Sequence, residues 1–109
     1  MDQTEFLEKK IFTDLMNVND GFDDKSIVYF SEKDFETLLE RIEYNGIGIY
    51  EMKTWFDGKV FSEDNHETYR KKATDPNWYK KTFKTLKHKQ EGLLYCASYK
   101  VSAKLLARK

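Results

Sequence analysis

Asp57-Gly58 stands between two strand-patterned runs, Ile47, Ile49, Tyr50, Met52, Trp55 and Phe56 before it and Lys59-Val60-Phe61 after it. A two-residue Asp-Gly connection suits a hairpin turn whose central positions both need positive φ. A β-hairpin at the middle of the chain is therefore the first commitment, and every other segment has to pack around it.

Helical spacing flanks the hairpin on both sides. Before it, Phe35, Leu38, Leu39 and Ile42 form one stripe behind Ser31, with Asp34 three residues on and Asn45-Gly46 as the stop. After it, Asp75 can accept hydrogen bonds from first-turn amides and Pro76 fits the first helical position, which predicts a helix from Pro76 to about Lys89. Tyr79, Phe83 and Leu86 share its apolar side, Trp78 lies beside them, and Lys80, Lys81, Lys84, Lys87 and His88 take the opposite face. Leu93, Tyr95, Ala97, Tyr99 and Val101 then alternate with Leu94, Cys96, Ser98 and Lys100 as a strand.

Two more elements complete the expected order. Ile27-Val28-Tyr29-Phe30 is a short apolar run of strand formers, and Leu7, Ile11, Leu15 and Val18 predict an N-terminal helix over about 3–17 that Asn19-Asp20-Gly21 stops. Residues 62–75 lack periodicity and are expected as a long exposed loop. The expectation is a ferredoxin-like βαββαβ α+β sandwich, a four-stranded sheet with two helices on one face and an additional N-terminal helix. With no repeat, no linker and one proline in 109 residues, the chain is expected to be one domain: an N-terminal helix within 1–20, a core over 27–101 and a basic tail at 102–109.

Charge is segregated along the chain although it sums to zero. Residues 1–54 hold 13 Asp and Glu against 6 Lys and Arg, and residues 55–109 hold 6 against 13. From Thr68 onward 12 basic residues face only Asp75 and Glu91. Arg70, Lys71, Lys72, Lys80, Lys81, Lys84 and Lys87 are the candidate basic patch for an anionic partner. Tyr29, Trp55 and Tyr99 are a candidate aromatic surface on an open sheet face.

Catalytic constellations are missing from the sequence. His66 sits among Glu63, Asp64 and Glu67 in a polar stretch, with His88 as the other imidazole, and no metal site is expected there. Cys96 lies in an alternating apolar strand and reads as a packed thiol; as the only cysteine it forms no intrachain disulfide, which fits a reducing, cytoplasmic setting. Gly46-Ile47-Gly48 precedes a strand and cannot act as a dinucleotide loop, no serine has an elbow context, and no cofactor is expected. There is no apolar run of membrane-spanning length, and Met1 to Glu5 is acidic where a secretory signal is basic and then apolar.

The predicted order is similar to that of RNA-recognition modules, whose central strands stack bases on aromatics. The similarity is architectural: Asp57-Gly58-Lys59-Val60-Phe61-Ser62 lacks their basic-Gly-aromatic-Gly-aromatic run, and only Phe61 matches an aromatic position. The functional expectation is a small non-enzymatic interaction module that recognises a protein partner with an acidic surface, through the basic helix face, an exposed sheet face or both. The alternative is RNA or DNA binding through the basic segment 70–89.

Overall fold

The computed structural model describes residues 2–107 and shows an α+β domain. Its elements in chain order are α1 (Gln3–Phe6), continued by a π-helical turn (Leu7–Ile11), α2 (Glu32–Tyr44), β1 (Gly48–Phe56), β2 (Lys59–Asn65), α3 (Pro76–Lys89), β3 (Leu94–Lys100) and α4 (Ala103–Leu106). The strands form a three-stranded antiparallel sheet in the order β2-β1-β3. The hairpin turns at Asp57 (φ 51°) and Gly58 (φ 81°), the left-handed pair that the Asp-Gly signal requires.

Local signals set the helix ends. The Ser31 hydroxyl accepts from the Asp34 amide to open α2, and Gly46 (φ 67°) follows its end. The Asp75 carboxylate accepts from the Asn77 amide to open α3, with Pro76 in its first turn. Both helices lie on one face of the sheet, α2 against β3 and α3 against β1. There Phe35 stacks on Tyr95 at 5.0 Å between ring centroids, and Phe83 reaches the same two rings at 5.8 and 5.1 Å. These three aromatics join α2, α3 and β3 and are buried together with Leu38, Ile42, Ile49, Met52 and Leu86. Gly48 allows a close crossing, since a Cβ there would stand 3.0 Å from the carbonyl carbon of Ala73, whose oxygen accepts from Ile49 N.

The expected fourth strand is not formed, so the ferredoxin-like order is not completed. Phe30 exchanges two backbone bonds with Tyr95, both 2.8 Å, but only as an isolated bridge. The residues before it are held elsewhere: Tyr29 O accepts from Val18 N, Tyr29 N donates to Asn17 Oδ1, and Ile27 O accepts from Asn19 Nδ2. Three side-chain and backbone partners in 17–19 thus hold 27–29, and Ser31 begins α2 at once.

The N-terminal helix ends at Ile11, well short of residue 17. Arg41 of α2 donates to the carbonyls of Ile11 (2.9 Å) and Thr13 (2.6 Å), Asp14 adopts φ 67°, and the Met16 amide donates to Asp34. Contacts with α2 replace the next helical turn. β2 also runs to Asn65, taking 62–65 out of the expected loop; these residues pair with Thr54, Lys53, Met52 and Glu51. Of the expected basic tail, Ser102 caps α4, and Leu105 and Leu106 pack against the core; Arg108 and Lys109 lie outside the described residues.

Candidate functional site: a lysine-lined groove beside α3

At 100° per residue, Asn77, Lys81, Lys84 and His88 form the crest of α3, and all four are exposed. Trp78, Tyr79, Thr82, Phe83 and Leu86 are buried beneath them. Lys80 and Lys87 occupy the flank towards α2, where their ammonium groups meet Glu43 (2.9 Å) and Glu36 (3.3 Å). Lys87 Nζ also stands 5.9 Å from the Phe83 ring centroid. Two lysines of the expected patch are therefore partly neutralised within the molecule, by exposed pairs worth about 0–1 kcal/mol each.

The other flank of α3 faces the loop between β2 and the helix. Tyr69 OH donates to Asp64 Oδ1 (2.9 Å), the Asn65 side chain accepts from Thr68 N and Oγ1, and His66 Nδ1 donates to the carbonyl of Lys71 (2.7 Å). Arg70 takes φ 55° to close this loop. The Tyr69 ring then lies on Trp78, 5.9 Å between centroids and 27° between planes; Tyr69 is 44% exposed and Trp78 2%.

Loop and helix together bound a groove of about 870 Å³. Lys71 lies on the loop wall, Lys80, Lys81 and Lys84 on the helix wall, and Tyr69 and Trp78 between them. Asn77, Thr82 and Thr85 complete the lining, which contains no carboxylate. Among the described residues Lys71, Lys81 and Lys84 make no ion pair. The site has charge and hydrogen-bond donors to offer an anion.

Of the seven basic residues singled out in the sequence, Lys71, Lys80, Lys81 and Lys84 line the groove; Arg70 and Lys72 are exposed outside it, and Lys87 belongs to the α2 flank. Tyr69 and the groove-lining role of Trp78 escaped the sequence reading. Their one local signal is the placing of aromatics among lysines, and their stacking depends on the loop closing back through Asp64 and Arg70.

The aromatic surface expected from Tyr29, Trp55 and Tyr99 does not exist as one platform. Tyr99 is buried in the main core beside Phe12 (5.7 Å), on the face it shares with Tyr95 and Met52. Tyr29 and Trp55 belong to the opposite side of the sheet, where Phe22 covers them at 4.9 and 5.0 Å. Tyr29 is fully buried and its hydroxyl is satisfied by donating to Asp23 (2.6 Å), which also meets Lys53 (3.0 Å). The Tyr29 hydroxyl, followed by the Asp24 amide and Lys53, holds the Asp23 carboxyl down to about 2. Burial pushes the neighbouring Cys96 thiol up, against the lowering influence of the Tyr29 hydroxyl and Lys53.

His66 lies between Tyr50 and Trp78, at 6.1 and 6.5 Å, and among the described residues no three His, Cys, Asp or Glu side chains converge as metal ligands. No described helix is long and apolar enough to cross a membrane. No protein-family model matches the chain, and no curated protein or solved structure is significantly similar to it. What fold and groove define is a class, a small three-stranded α+β domain with a basic surface groove.

Proposed function

We propose that this domain is a non-enzymatic recognition module for an acidic protein partner, bound through the crest of α3 and the groove beside it. The observation that carries this reading is the groove lining, four lysines with no carboxylate, three of them without an ion pair among the described residues. Unpaired, exposed charge of one sign steers an oppositely charged partner and sets the register of encounter.

Protein is favoured over nucleic acid by what stands next to the lysines. α2 carries five carboxylates and two basic side chains, and Glu36, Glu40 and Glu43 border α3 on its Lys80 and Lys87 side. A stiff nucleic-acid duplex crossing both helices meets that negative flank within one helix width, about 10 Å, whereas a flexible acidic chain can follow α3 and avoid it. A second reading, single-stranded nucleic acid, has one observation in its favour: the exposed Tyr69 ring among lysines, a pairing that stacks bases while holding phosphates.

Titration of the protein with polyglutamate, single-stranded RNA and DNA, and duplex DNA at low and physiological salt tests the two readings together. Saturable polyglutamate binding, lost in Lys81→Glu/Lys84→Glu, is expected, with weaker nucleic-acid binding. Tighter binding of single strands that survives physiological salt would replace the protein reading by the nucleic-acid one, and binding of neither would remove both.

A further inference from the structure

The groove has two charged walls, and that geometry selects among acidic partners. We infer that its occupant is an extended acidic segment of a partner protein, about four residues lying along α3 between Lys71 and the lysines of the helix. This rests on the acidic-partner reading above and narrows it.

The length follows from the lining. Asn77 to Thr85 spans about 12 Å of helix at 1.5 Å per residue, which an extended chain covers in about four residues at 3.3 Å each. Lys71 faces the groove from the loop, whereas Lys81 and Lys84 face it from the helix, so a chain between them meets ammonium groups on both sides. Side chains of an extended segment alternate in direction, and carboxylates at neighbouring positions can be taken by opposite walls. The Tyr69 ring, 44% exposed between the walls, supplies apolar contact for the aliphatic stems of acidic side chains.

The test uses the whole chain, labelled with ¹⁵N, and a blocked unstructured peptide of sequence Glu-Ser-Glu-Glu-Ser-Glu as probe. The two tryptophans give separate indole signals: Trp78 lines the groove, and Trp55 lies across the sheet beside Phe22. The Trp78 indole signal should move on titration and that of Trp55 stay fixed. Lys71→Ser and Lys81→Ser should each weaken binding by about two- to fivefold, as expected for one charge contact of the order of an exposed ion pair. Lys72→Ser and Lys89→Ser remove the same charge at exposed positions outside the lining and should leave affinity unchanged.

Equal weakening by all four substitutions, or an unmoved Trp78 signal in a bound state, would mean diffuse attraction to the basic face. That would overturn the groove assignment and leave the acidic-partner reading standing. No binding of the peptide would overturn both. A single-stranded oligonucleotide that displaces the peptide, binds more tightly and depends on the same two lysines would make nucleic acid the occupant and overturn the inference.

Discussion

At the scale of single residues, two carboxylates have opposite kinds of work. Asp75 accepts from the Asn77 amide at the start of α3, satisfying a donor that the helix itself cannot. Asp75→Ala should cost about 0.5–2 kcal/mol, read as a lower melting temperature with helix content otherwise retained. Asp23 holds the Tyr29 hydroxyl and Lys53 on the far side of the sheet, and its proton affinity is lowered in the folded state to about 2. A lowered carboxyl contributes stability above the ordinary carboxylate range and loses it as the pH falls towards the folded value. Melting temperature should therefore drop between roughly pH 5 and pH 2, and Asp23→Asn should flatten that part of the profile. An identical profile for the two proteins would show that Asp23 does not anchor Tyr29. Asp75 is legible in the sequence because its partner is two residues away; the role of Asp23 is not, because Lys53 arrives from a strand thirty residues on.

At the scale of elements, those that carry their own boundary signals form as expected. α2 has Ser31 and Asn45-Gly46, α3 has Asp75-Pro76, and the hairpin has Asp57-Gly58. Elements without such signals are decided by neighbours. Ile27 to Phe30 has strand-forming side chains, yet Asn17, Val18 and Asn19 take its backbone groups and leave one bridge to β3. The N-terminal stripe continues past Ile11, but Arg41 takes the carbonyls that a further helical turn would use. Tertiary partners outcompete local propensity in both cases. The packing phase of α3 follows its sequence spacing, with Phe83 against Phe35 and Tyr95. Phe83→Ala should cost about 3–5 kcal/mol in chemical denaturation, since it removes the ring that joins both helices to β3. A cost below about 1 kcal/mol would place that ring outside the core.

At the scale of the whole molecule, the charge asymmetry of the sequence becomes a spatial one. Carboxylates of α2 engage Lys80 and Lys87 on one flank of α3, Lys71 and Lys81 face the groove on the other, and Lys80 and Lys84 border both. The basic patch is legible in the sequence as a run of lysines. Its division into paired and unpaired halves is not, because that depends on which side of α3 receives α2 and how residues 66–72 fold back. Charge reversal of the unpaired half is the most direct measurement of the central claim. Lys81 and Lys84 are exposed and outside the core, so Lys81→Glu/Lys84→Glu should melt within a few degrees of the original protein. Isothermal titration of both proteins with polyglutamate at physiological ionic strength should show saturable binding by the original and none by the variant. Equal affinity in the two folded proteins would contradict the account.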